Sequence, residues 1–151
     1  MKLAEALLER AELKQKLIVL QNRLVSNAKV QEGMEPNESP KTLLKELDEA
    51  TNRLEFLITH INKTNELTKN QNGTTISELI AKRDVLTQKY RILRIFLDNG
   101  NAVVNRLTHT EIKLLTTFSV VDTQKNVDKL SEQIRKIDTE IQGLNWTTDL
   151  L

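Results

Sequence analysis

A chain of 151 residues with 38% hydrophobic but only 3% aromatic content can form one domain with an aliphatic core, which favours helix packing over sandwiches and barrels. Lys+Arg 22 against Asp+Glu 21 gives a net charge of +1; the signs alternate along every segment, so no basic block exists for phosphate backbones or anionic lipid. The absence of Cys excludes thiol nucleophiles, thiolate metal sites and disulfides.

From Leu3 to Asn27, Leu13, Leu17, Leu20 and Leu24 step by four, three and four residues, and Leu3, Ala6 and Leu7 extend the stripe backwards. This spacing predicts a helix with one apolar face. The polar stretch Gln31-Glu32-Gly33-Met34-Glu35-Pro36-Asn37-Glu38 reads as a loop. Ser39-Pro40 then opens a second helix, with Ser39 as N-cap and Pro40 at the first helical position, where its missing N–H costs nothing. Its seam is Leu43, Leu47, Ala50, Leu54, Leu57 and Ile61, turning polar at Thr64, Asn65 and Thr68.

Asn70-Gln71-Asn72-Gly73 stops this helix, and Thr75-Ile76-Ser77-Glu78 has the form of a capping box for the third. The third seam runs Leu79, Leu86, Tyr90, Leu93, Leu97, with Arg83 at the position between the first two. Asn99-Gly100 reads as a left-handed stop. From Glu111 to Val121 the pattern changes to period two, Ile112, Leu114, Thr116, Phe118 and Val120 alternating with Lys113, Leu115, Thr117 and Ser119. That predicts a strand, paired either with Val103–Leu107 as a hairpin or with the same strand of a second subunit. Asp122 caps the last helix, whose seam is Val127, Leu130, Ile134, Ile137, Ile141 and Leu144.

The expected fold is therefore mainly α: a single domain over residues 1–151, an antiparallel bundle of four long heptad-patterned helices, with one short strand or hairpin at about 103–121 before the last helix. Helices of about 25 residues span roughly 37 Å. No stretch approaches the roughly 20 apolar residues of a membrane span. The N-terminus enters a helical pattern without the apolar core of a signal peptide, so the expected location is the cytoplasm.

No Gly-rich phosphate loop, nucleophile elbow or Ser/His/Asp pattern is present. No catalytic residue, cofactor or metal is assigned. His60 and His109 each lack a Glu three residues before them, so the Glu-x-x-His pair of carboxylate-bridged metal bundles is missing; they read as surface or packed residues. Trp146 reads as a plug at the bundle end. One polar constellation does stand out. If the second and third helices meet at Asn70–Gly73, then Asn62 and Asn65 fall level with Arg83 and its neighbour Asp84. An antiparallel first helix adds Glu5, Glu9 and Arg10. Such a layer either binds a small charged ligand, with Arg83 facing the anion, or fixes helix register as an ionic layer; Arg83 can also snorkel to solvent.

Several segments together carry a family resemblance: Leu3-Ala4-Glu5-Ala6-Leu7-Leu8-Glu9-Arg10-Ala11, Asn27-Ala28-Lys29-Val30-Gln31-Glu32-Gly33, Ile61-Asn62-Lys63-Thr64-Asn65, Arg83-Asp84, Thr110-Glu111-Ile112-Lys113 and Ile141-Gln142-Gly143-Leu144-Asn145-Trp146-Thr147. Over nearly the whole chain the sequence resembles a family of small bacterial helical proteins of unknown function, some labelled septicolysin. The resemblance implies no established activity. Its label implies a membrane-active toxin, which fits poorly with a Cys-free chain whose alternating segment carries Lys113 on its outer face. The sequence thus favours a non-enzymatic, self-associating interaction or assembly module, a homo-oligomer without nucleic-acid or membrane partners. The alternative is a small-ligand-binding protein or enzyme using the Arg83 layer; a septicolysin-type toxin ranks third.

Overall fold

The computed structural model describes residues 1–100 and 114–151. Four helices account for most of them: α1 (Leu3–Ser26), α2 (Pro40–Leu67), α3 (Ile76–Gly100) and α4 (Val120–Thr147). The mainly α expectation is met, and each helix starts or ends within a few residues of its sequence signals. Contacts divide the chain into two compact units, residues 1–77 with 142–151, and residues 78–141.

In the first unit, α1 and α2 run antiparallel and share one apolar seam. Leu20, Leu43 and Ala50 form a buried cluster, with Leu13, Leu17 and Leu24 packed on it. Leu57 and Ile61 on α2 and Leu3, Ala4 and Ala6 on α1 are buried as well. All of these but Ala4 are seam positions of the heptad pattern, so burial follows the three–four spacing. Ser39 stands at the N-cap of α2 in extended conformation with Pro40 inside the first turn. The α2–α3 connection is a tight turn: Asn70 Oδ1 accepts N–H bonds from Asn72 at 3.0 Å and Thr74 at 2.8 Å. Gly73 takes φ 81° there, the left-handed conformation that only glycine adopts cheaply. The end of the chain returns to this unit, where Leu3 N–H donates to Thr148 O and Leu150 N–H to Met1 O, each at 2.9 Å.

In the second unit, Leu79 and Leu97 of α3 and Val127, Leu130, Ile137 and Ile141 of α4 are buried. They again occupy the expected seams. Phe96 and Phe118 stack at 4.0 Å between centroids, tying the last turn of α3 to the segment that precedes α4.

Four expectations are corrected. Residues 114–119 form no strand, and Val120 and Val121 are already helical; the rest of the proposed strand or hairpin, from 103 to 113, lies outside the described residues. The reason is a cap that outcompetes the alternation. Ser119 Oγ accepts the Asp122 N–H at 3.2 Å and Ser119 O accepts the Thr123 N–H at 3.0 Å, so Ser119, not Asp122, starts α4. Gly100 is the last residue of α3 without a positive φ. It is not a left-handed stop; a Cβ there would collide with the Phe118 ring. Trp146 is 57% exposed at the end of α4 and is not a plug.

Candidate functional site

The residues of the expected polar layer are distributed over both units. Glu5, Glu9, Arg10, Asn62 and Asn65 belong to the first, Arg83 and Asp84 to the second. Glu5 serves the start of α1: its Oε2 accepts the Lys2 N–H at 2.6 Å, satisfying a backbone donor that the helix leaves free. Glu9 is gripped by Arg53 of α2, Nε to Oε1 at 2.6 Å and Nη2 to Oε2 at 2.8 Å. The hydrogen bond from Arg53 holds the Glu9 carboxyl below its ordinary range against the opposing pull of burial. Arg10 and Asn65 are half-buried, and Asn62 is exposed.

Arg83 is half-buried on the inner side of α3. Its guanidinium reaches Asp84 at 3.0 Å and Asp138 of α4 at 3.3 Å. Burial acts to lower its pKa, but the hydrogen bonds and charges of Asp84 and Asp138 outweigh it and the net shift is upward. Arg83 and Asp84, neighbours in sequence, are thus in contact. The sequence reading missed Asp138, which stands next to the seam residue Ile137 and four residues after Ile134; the heptad pattern puts it near a seam but does not say which helix faces Arg83.

A second charged cluster was not anticipated. Arg23, near the end of α1, contacts both Glu38 oxygens through Nε at 3.1 Å and Glu46 of α2 at 3.1 Å. Asn27, buried, donates to Arg23 O at 2.9 Å and accepts the Glu38 N–H at 2.9 Å. Arg23's hydrogen bond, set against burial, lowers the Glu38 pKa. This clamp closes the α1–α2 loop and leaves Gly33, at φ 83°, in an exposed turn. A buried Asn four residues after an Arg at a helix end was the available signal.

On the outer side of α2, Arg53 lies over the Phe56 ring at 5.2 Å and Phe56 stacks on His60 at 3.8 Å. His60 Nδ1 is 2.7 Å from Phe56 O, so it is a packed surface residue. No group of three or more His, Asp or Glu that could hold a metal occurs among the described residues. No helix among them is long and apolar enough to cross a membrane.

The remaining feature is apolar. In the second unit a cleft of about 440 Å³ is lined by Phe96, Leu114, Leu115 and Phe118 together with Asn99, Gly100, Thr116 and Thr117. Thr116 Oγ1 donates to Gly100 O at 2.8 Å, and Leu114 and Leu115 stay largely in solvent.

Residues 10–150 match the family model described as a family of unknown function, DUF6847. Among solved structures, a functionally unknown conserved protein from Corynebacterium diphtheriae is similar at 36% sequence identity and a TM-score of 0.91, with 100% of this chain and 99% of that chain covered. No curated protein matches. These comparisons agree with the coarser part of the resemblance, a family without assigned function, and carry nothing of the septicolysin label.

Proposed function

The chain belongs to the DUF6847 family of unknown function, and we propose from its geometry that it acts by self-association, as a non-enzymatic helical assembly module. The carrying observation is a second apolar stripe, separate from the buried seam. On α1, Leu8, Ala11, Ile18 and Val25 are all exposed and follow heptad spacing, with the polar Gln15 and Asn22 at the intervening stripe positions. A helix with one seam buried and a second in solvent has the form of an element that expects another layer of helices. Polar residues interrupting such a stripe are the usual means of fixing register and stoichiometry.

The charged groups support the same reading. Glu9 is paired with Arg53, Arg23 with Glu38 and Glu46, and Arg83 with Asp84 and Asp138. A guanidinium already neutralised by two carboxylates is poorly placed to attract an anionic ligand. Sedimentation velocity over a hundred-fold concentration range, together with native mass spectrometry, tests the proposal. A discrete oligomer of bare subunits is expected. A monomer at every concentration, or a subunit carrying a stoichiometric small-molecule adduct, overturns it.

A further inference from the structure

The sequence holds two Asn-Gly pairs, Asn72-Gly73 and Asn99-Gly100, and the fold treats them differently. Asn is a chemically labile residue, and most so before Gly, where no Cβ shields the next backbone nitrogen from the side chain. Reaction requires that nitrogen to reach the Asn Cγ. It therefore depends on whether the Asn backbone can turn and whether its carboxamide is free to swing.

Asn72 and Gly73 lie in the α2–α3 turn, and both are exposed. The bond that Asn72 makes there comes from its backbone N–H, to Asn70 Oδ1 at 3.0 Å, so the turn does not hold the carboxamide. Gly73 takes φ 81°, and the space where a Cβ would stand is open. Its N–H donates to Asn70 O at 3.1 Å, a bond that an exposed turn opens without unwinding a helix. Asn99 is held in two ways. It lies within α3, where the helical ladder fixes its ψ, and its Nδ2 donates to Ile95 O at 2.8 Å.

We infer that Asn72 is a modification site, deamidated by its own neighbour Gly73 with water as the co-reactant, while the helix spares Asn99. The Gly73 nitrogen gives up its proton and attacks Asn72 Cγ. The new C–N bond closes a succinimide ring, and the carboxamide nitrogen leaves as ammonia. Water then opens the ring. Breaking the bond from the Gly73 nitrogen to Cγ leaves an ordinary aspartyl link. Breaking its bond to the Asn72 backbone carbonyl carbon leaves an isoaspartyl link, with the main chain one carbon longer. One water is consumed and one ammonia released, with no change of oxidation state. Either product puts a negative charge in the turn. The isoaspartyl link also stretches the segment that Asn70 closes, through its N–H to Thr74 O at 2.8 Å and its Oδ1 to the Thr74 N–H at 2.8 Å. Those bonds must yield, so the modification loosens the α2–α3 connection.

The test holds the full chain in warm, mildly alkaline buffer and samples it over time. Peptide mapping by mass spectrometry, with fragmentation that separates isoaspartate from aspartate, follows both pairs. A parallel sample in urea reports the same two pairs without their structure. Similar conversion of the two is expected in urea. In the folded chain, Asn72 should convert about ten-fold or more faster than Asn99, with isoaspartate among its products and faster hydrogen exchange at Thr74 as it accumulates. Asn72→Gln, at an exposed position, should abolish the mass gain of the folded protein, because glutamine closes its ring far more slowly. An Asn72 that stays intact in the folded chain while it converts in urea overturns the inference. So does an Asn99 that converts as fast as Asn72 in the folded chain, or a mass gain that Asn72→Gln leaves unchanged.

Discussion

The side-chain oxygen of Thr64, fully buried on α2, accepts a hydrogen bond at 3.0 Å from the backbone N–H of Leu151, 87 residues further along the chain. The same hydroxyl donates to His60 O at 2.7 Å. One polar atom in an otherwise aliphatic seam therefore fastens the last residues against α2. Lys2 supports them from the other side, its Nζ 2.9 Å from Asp149 Oδ1.

Thr64→Val tests this fastening. Valine keeps the shape and the methyl contacts but leaves the Leu151 N–H without its acceptor. The expected loss is about 1–2 kcal/mol by urea unfolding. Faster hydrogen exchange at Leu150 and Leu151 should accompany it. Unchanged exchange at those two amides would show that the tail is held by something else.

The heptad spacing made the helices legible because burial follows it directly. Leu20, Leu43, Ala50, Leu57 and Ile61 are where the three–four pattern puts them. Thr64 also stood in the pattern, as the point where the seam turns polar, yet its partner lies in a distant tail and no local spacing announces that. The alternation from Leu114 to Val120 misled for a different reason. Period two is a side-chain pattern, whereas Ser119 at the N-cap of α4 acts on backbone donors, and at residues 119–121 the cap decides. Of the polar layer, only Arg83 with Asp84, its neighbour in sequence, could be read as a contact; the partners Arg53 and Asp138 depend on which helices face each other, which heptads do not specify.

Gly100 and Phe118 give a prediction with a clear sign structure. Gly→Ala within a helix ordinarily gains about 0.5–1 kcal/mol. At Gly100 the new Cβ meets the Phe118 ring, which must swing away and give up its stack on Phe96, worth about 0.5–1.5 kcal/mol. Gly100→Ala should therefore bring little or no gain in the native background. It should stabilise by about 1 kcal/mol when combined with Phe118→Ala. A double-mutant cycle by thermal unfolding measures the coupling, and a coupling near zero would mean that ring and glycine do not touch.

The depressed carboxyls set the acid side of the stability profile. Glu38 is held down by Arg23 and Glu9 by Arg53. Both therefore take up protons less readily in the folded chain than in the unfolded one. Their contribution is complete above the unfolded Glu value of about 4.3 and disappears as the pH falls through the lower folded values. The urea midpoint should stay level from pH 7 to about 5 and then fall. The fall should be shallower in Arg23→Met, which removes the cause of the Glu38 shift. Identical acid limbs for the two proteins would contradict this assignment.

Arg83 sits at a seam position yet keeps its charge, so its replacement separates packing from pairing. The aliphatic stem lies along α3 toward α4, while the guanidinium meets Asp84 and Asp138, whose side chains remain 58% and 50% exposed. Carboxylates that exposed stay hydrated when their partner is lost, so no uncompensated buried charge results. Arg83→Met keeps the stem volume and should change stability by less than about 1 kcal/mol in either direction. Arg83→Ala also removes the stem and should cost more, about 1–2 kcal/mol. The order native or Met above Ala, read from urea midpoints, identifies the residue as a packed strut whose charge is secondary. A loss for Arg83→Met as large as that for Arg83→Ala would instead assign the stability to the ion pairs, and α3 and α4 would then be held at this level by charge.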